Sequence, residues 1–228
     1  NTTATRRITL DTTPPNWSNA LESPTDSLTY TLGQFYQFNV SWTDNLIGIQ
    51  NVFIEHNFTG SFANYSTNVL SSVYSYNTTN LAAGGYVWRM YANDSLNNKN
   101  QTDLFTYTIN RAASAVNLTL NGTDGNVTIQ VHDSVNLTGD KLIGEGVMKL
   151  YKNGNLINQG NDPLENITVF NDTGTYNITA IYEQTQNYSQ SSRTNYVIVQ
   201  DAQFPVIVLN TPMNAYNVSS RNVTFNIT

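Results

Sequence analysis

Apolar and polar residues alternate along much of this chain. From Gln37 to Trp42 the alternation puts Phe38, Val40 and Trp42 on one face of an extended segment. The same pattern predicts strands over 50–58, 68–76, 86–92, 104–109, 115–120, 127–131, 147–152, 167–170, 176–182 and 195–199. Thr, Val, Ile and Tyr dominate these runs, as a pleated, half-buried surface prefers. No stretch keeps a 3.6-residue apolar period for three turns, so no helix is expected. Short strands at roughly ten-residue spacing, with turn signals between them, predict sandwiches rather than βαβ units. Asn153-Gly154 falls between two strand runs and reads as a two-residue hairpin turn, with Asn121-Gly122 and Asp124-Gly125 as further turns.

An internal echo sets the domain organisation. Asp11-Thr-Thr-Pro-Pro15 returns as Asp201-Ala-Gln-Phe-Pro205, Ser23-Pro24-Thr25-Asp26 as Thr211-Pro212-Met213-Asn214, and Phe38-Asn39-Val40-Ser41 as Phe225-Asn226-Ile227-Thr228. The offsets are 190, 188 and 187 residues, so order and spacing are kept. Arg7-Ile-Thr-Leu10 runs into Asp11 as Tyr196-Val-Ile-Val199 runs into Asp201. The expected division is 1–10 as the terminal strand of a preceding or partner module, 11–110 and 111–200 as two sandwiches, and 201–228 as the first strands of a further module or donor strands. The chain then reads as a window in a longer array, or as a subunit lending strands to its neighbours.

Asp172-Thr-Gly174-Thr-Tyr176-Asn-Ile178 matches the D-x-G-x-Y-x-C stretch before strand F of immunoglobulin (Ig) domains, with Ile178 in place of the cysteine. Gly85-Tyr86-Val-Trp88 takes the equivalent place in the first module, and Trp42 and Trp88 are expected to fill its core. The cysteine pair of antibody domains is missing, so the resemblance is to the broader Ig-like and fibronectin-like class. The fold class is therefore expected to be all-β: tandem Ig-like β-sandwiches with partial strands at both chain ends.

Composition narrows the function classes. In 228 residues only 11% are charged, against about 25% in ordinary globular chains. Neutral polar residues replace them: 34 Asn, 30 Thr and 17 Ser. A net charge of −6 argues against binding a phosphate backbone, which takes a basic patch. No cysteine is present, which removes disulfides, zinc–thiolate sites and thiol catalysis. No apolar run approaches 20 residues, so no membrane span is predicted. No signal peptide is recognisable, and the chain begins at Asn1, as a mature form or a fragment would.

Nineteen Asn-x-Ser/Thr sequons are present, at Asn1, Asn16, Asn39, Asn57, Asn64, Asn77, Asn93, Asn100, Asn117, Asn121, Asn126, Asn136, Asn166, Asn171, Asn177, Asn187, Asn217, Asn222 and Asn226. Random placement would give about 7. Strand alternation explains part of the excess, because the middle residue is often apolar and Asn and Thr then share the outward face. Outward asparagines are also reachable ones, so covalent N-linked glycans are expected at several sites. Glycans would also keep so weakly charged a surface soluble.

Catalytic chemistry is sparse. His132-Asp133-Ser134 holds three triad residue types, but neighbours on a strand point to opposite faces. No zinc-protease, nucleophile-elbow, phosphate-loop or dinucleotide motif occurs. Gly144-Glu-Gly146 reads as a turn. Asp11 and Asp201 fall at module joints, and Asp44 and Asp94 in loops expected at one end of the first sandwich. Oxygen ligands converging there could hold a calcium ion, although Asp also simply makes turns, and no EF-hand is present. A lysine–asparagine cross-link would require Lys149 or Lys152 buried beside an acid such as Glu165. No metal and no cofactor are assigned.

Asp11-Thr-Thr-Pro-Pro15, Gly85-Tyr-Val-Trp-Arg-Met-Tyr-Ala-Asn-Asp94, Asn210-Thr-Pro-Met-Asn214 and Asn222-Val-Thr-Phe-Asn-Ile-Thr228 together resemble the tandem Ig-like modules of archaeal cell-surface proteins: surface-layer (S-layer) components, adhesins and filaments. That resemblance implies an extracellular, glycosylated, non-enzymatic structural component of a filament or surface layer. Its partners would be copies of itself or neighbouring modules, and strand donation is a candidate means of assembly. The alternatives are an adhesin or stalk segment, with Tyr74, Tyr76 and Tyr91 as aromatic contacts, or an accessory domain of a surface hydrolase.

Overall fold

A computed structural model describes residues 10–202. The expected orphan strands at 1–10 and 201–228, and the sequons Asn1, Asn217, Asn222 and Asn226, lie outside the described residues except for Leu10, Asp201 and Ala202.

The described chain is all-β and forms two sandwiches. The first is built from β1 (Asn16–Ser23), β2 (Leu28–Thr29), β3 (Phe35–Thr43), β4 (Ile49–His56), β5 (Ala63–Ser66), β6 (Asn68–Leu70), β7 (Val73–Thr79), β8 (Gly84–Asp94), β9 (Lys99–Gln101) and β10 (Phe105–Asn110). One sheet has the order β1-β3-β7-β6 and the other β2-β10-β8-β4-β5, with β9 against β8. The second sandwich uses β11 (Ala115–Leu120), β12 (Val127–Gln130), β13 (Ser134–Ile143), β14 (Met148–Lys152), β15 (Asn155–Gly160), β16 (Leu164–Val169), β17 (Gly174–Tyr182) and β18 (Ser191–Gln200). Its sheets run β11-β13-β16 and β12-β18-β17-β14-β15. In both, the chain makes its first strand in one sheet and then crosses over. A short parallel strand follows along the last strand of the opposite sheet, β2 on β10 and β12 on β18.

Period-two burial builds both cores. On β3, Tyr36, Phe38, Val40 and Trp42 all point inward and are at most 1% exposed. They meet Ile54, Trp88, Met90, Tyr107 and Ile109 from the facing sheet. Phe38 lies edge-on to Trp88 at 5.4 Å, and Trp88 packs on Phe105 at 4.7 Å. The second core is aliphatic: Leu118, Leu120, Val135 and Leu137 face Leu150, Ile178 and Val197. The Trp88 indole N–H donates to Glu22 Oε1 at 2.8 Å. Burial nevertheless holds the Glu22 carboxyl above its ordinary range.

The short strands β2, β5 and β9 fall outside every predicted run, and three longer segments also depart from the sequence expectation. The single strand expected over 68–76 is a hairpin, with Ser71 turning at φ 58 between β6 and β7. Serines signal a turn weakly, so the run read as continuous. Strand β1 was not anticipated, because a register shift between Ser18 and Leu21, with Asn19 at φ 50, breaks its alternation. Strand β13 was also missed, because Gly139 interrupts its apolar face. That glycine is buried under Met148, Leu150 and Ala180, and an added Cβ would meet Met148 Cε at 3.3 Å.

The modules are joined by the four residues between β10 and β11, and they touch. Tyr188 of the second packs edge-on against Tyr30 of the first at 5.6 Å. The Ala83 N–H donates to Asn187 Oδ1 at 3.0 Å, and Gln186 Nε2 donates to the Ala83 carbonyl. Arg111 in the joint donates to the Thr185 carbonyl at 3.0 Å.

Candidate functional site

Each sandwich carries the same corner at the start of a central strand, β8 in the first and β17 in the second. Tyr176 donates its hydroxyl to the Asp172 carbonyl at 2.9 Å, and Tyr86 donates to the Ala82 carbonyl at 2.8 Å. The hydroxyl thus bonds back to backbone four residues upstream, the tyrosine corner of Ig domains. Both modules are Ig-like. No family profile matches the chain, and no curated protein matches it. Similar solved structures include the fibronectin(III)-like modules of Clostridium thermocellum CbhA, at 14% identity and a TM-score of 0.34, covering 85% of this chain and 98% of that one. A run of titin domains aligns at 14% identity and a TM-score of 0.39, covering 84% of this chain and 68% of that one. These likenesses are loose, and the fold assignment stands on strand order and the two corners.

The most concentrated chemistry lies at the end of the first sandwich opposite the module joint. Asp11 precedes β1, Asp44 follows β3 and Asp94 closes β8. One carboxylate oxygen from each lies within 4.8 Å of the other two. Asp44 Oδ1 accepts from the backbone N–H groups of Leu46, Ile47 and Gly48 at 2.9–3.0 Å. These bonds hold the Asp44 carboxyl below its usual range. Asp94 Oδ1 accepts from Leu96 and Asn98 N–H, both at 2.9 Å. Asp11 Oδ1 accepts from Thr13 N–H at 2.9 Å. Asn98 Nδ2 donates to Asp94 Oδ2 at 2.7 Å and to the Asp11 carbonyl at 3.1 Å, tying the entering segment to the β8–β9 turn. Asp11 and Asp94 are buried, at 4% and 0% exposure. Asp11 Oδ2 and Asp44 Oδ2 are buried with no donor. Asp201 is remote from the cluster, exposed just past β18.

His56 is a further buried ionisable group. Its ring stacks between Phe58 at 4.0 Å and Tyr65 at 4.3 Å. Nδ1 accepts from the Phe58 N–H at 3.2 Å, while Nε2 is buried without a partner. Burial pushes the imidazole down to about 4, so it is neutral at physiological pH. With Nδ1 satisfied by backbone and a third ring, Tyr76, at 4.7 Å, this is a packing arrangement.

The remaining candidates do not assemble into sites. His132, Asp133 and Ser134 lie at a tight turn leading into β13 rather than along one strand, and His132 has φ 71. Asp133 Oδ2 accepts from the Gln130 N–H, so it serves that turn. Lys149 pairs with Glu183 at 2.6 Å, and Lys152 lies over the rings of Phe170 and Tyr176. Neither contact is the Glu165 pairing that a cross-link would require. Tyr74 and Tyr76 are half-buried against the first core. Tyr91 donates its hydroxyl to Glu55 under the Arg89 guanidinium.

The fifteen described sequon asparagines are all at least partly exposed. Asn16, Asn64, Asn77, Asn121, Asn126 and Asn171 are the more exposed, although Asn121 and Asn126 accept backbone N–H groups of Asn136 and Tyr196 through Oδ1. Several others use their amide inside the fold. Asn187 accepts from Ala83 and donates to Glu145 across the module joint, and Asn100 Nδ2 donates to the Pro15 carbonyl.

Proposed function

We propose that this chain is a non-enzymatic structural segment of an extracellular filament or surface layer, built of N-glycosylated Ig-like modules coupled end to end. The carrying observation is the short joint, in which Tyr188 and Asn187 of one module lock onto Tyr30 and Ala83 of the other. Four linking residues with side-chain contacts across them favour a stiff rod over beads on a string. The outward faces are rich in neutral amides and hydroxyls, and this supports decoration. Archaeal origin belongs to this reading through the sequence resemblance.

Electron microscopy of the purified protein tests assembly. Filaments or sheets of end-to-end rods are expected, and free monomers with randomly bent modules would overturn the reading. Intact mass before and after deglycosylation, with site mapping, tests decoration. Glycans are expected at the six more exposed sequons and not at Asn187, whose Nδ2, the atom a glycan would modify, donates to Glu145 at the joint. Unmodified asparagine throughout material from the native host would remove the glycoprotein part.

A further inference from the structure

Asp11, Asp44 and Asp94 come from three separate stretches of chain and meet at one end of the first sandwich. Ordinary turn-making explains half of each carboxylate of Asp11 and Asp44: Oδ1 collects backbone N–H groups, as Asx turns do. It does not explain the other half. Asp11 is 4% exposed, and its Oδ2 has no donor. Asp44 Oδ2 is likewise buried and unpartnered. Among the described residues, the ion pairs are Arg89–Glu55, Lys149–Glu183 and Arg193–Asp124, and none reaches this cluster. Three carboxylates gathered without a counter-charge, with buried acceptors left over, call for a cation.

We propose that Asp11, Asp44 and Asp94 bind a hard divalent cation of the calcium class, clamping the entering segment to the β3–β4 and β8–β9 loops. An all-oxygen set without His or Cys suits calcium rather than zinc. Oxygens within 4.8 Å of one another can share one ion at about 2.3–2.6 Å from each. Water and backbone carbonyls fill the remaining positions. The second module supplies the contrast. Its entering segment carries Arg111, and at that end Lys149 of β14 pairs with Glu183 just past β17. It brings its own cations, whereas the first module borrows one. The site stands on the first module alone and does not depend on the surface-layer reading.

The test uses the full 228-residue chain, stripped with chelator and titrated with calcium chloride by calorimetry, alongside thermal unfolding with and without the ion. One calcium per chain at this cluster is expected. The first-module transition should rise by about 4 °C or more at saturation and return with chelator, while the second stays fixed. Asp44→Asn and Asp94→Asn keep the Oδ1 acceptor and should each weaken calcium at least about tenfold. In chelator, Asp44→Asn should unfold no earlier than wild type, because it removes like-charge repulsion. No heat and no shift at about 10 mM calcium, far above the working range of extracellular calcium modules, would overturn the proposal. So would calcium binding that both substitutions leave unchanged. Magnesium acting where calcium is inert would overturn the calcium assignment. The wild-type titration decides even if a variant fails to fold.

Discussion

The two modules share a strand plan and solve its problems with different side chains. The first fills its interior with rings: Tyr36, Phe38, Trp42, Trp88 and Tyr107. The second fills the same space mainly with Leu, Val and Ile, and its fully buried rings are Phe170 and Tyr182. The first has a buried neutral histidine and an uncompensated aspartate cluster. The second has a lysine–glutamate pair, and Tyr182 lies over Gly144. Backbone topology therefore leaves the core chemistry and the module ends open. It fixes only which positions face inward and which loops share an end.

That contrast can be broken at its strongest point first. Trp88→Ala should cost the first module about 3–5 kcal/mol, since it removes a fully buried ring and the donor to Glu22. Differential scanning calorimetry should show the first transition lowered and the second in place. A single merged transition that moves as a whole would mean that the modules do not unfold separately.

Acid should separate the modules next. In the unfolded chain His56 takes up its proton near pH 6.5, and in the folded chain only near 4. The folded pKa is the lower one, so the stability is present above pH 6.5 and is lost as pH falls from there to 4. The loss reaches about 3 kcal/mol in the first module. His56→Phe, which keeps the stack, should flatten that pH dependence in chemical unfolding. An unchanged slope would place the acid sensitivity elsewhere.

Gly144→Ala sharpens the comparison from the second module. The residue sits at φ 144, and a Cβ would come within 2.8 Å of the Tyr182 ring. A loss of about 1–3 kcal/mol confined to the second transition is expected. Smallest is the joint itself. Tyr188→Ala should reduce the coupling between the two transitions by about 1 kcal/mol, with a wider spread of inter-module angles in small-angle scattering. Unaltered coupling would assign the joint to the Asn187 and Gln186 hydrogen bonds.

Strands such as β3, β8 and β17 were legible because period-two burial is written locally. Phe38, Val40 and Trp42 announce their face whatever lies across from them. The missed strands show where local reading stops: Gly139 is invisible as a core position until Met148 and Ala180 close over it. Tyr86 and Tyr176 were legible as corners, since the bond runs only four residues back along the chain. The sequons were legible as a pattern, but Asn187 and Asn121 look alike in sequence. Only one of them spans a joint with its amide.

The sequence by itself determined the alternation of inward and outward residues, the turns at Asn-Gly pairs, the absence of thiol chemistry and the density of acceptor asparagines. Each is a property of neighbouring residues or of composition. The sequence placed Asp44 and Asp94 at one end and Asp11 and Asp201 at joints, but tertiary structure alone decided that Asp11 joins the first two while Asp201 lies elsewhere, that His56 is stacked and neutral, and that Tyr188 reaches Tyr30. The physical reason is range. A dihedral preference or a face is set within a few residues, whereas charge convergence and desolvation depend on which distant segments the sheets bring to the same end.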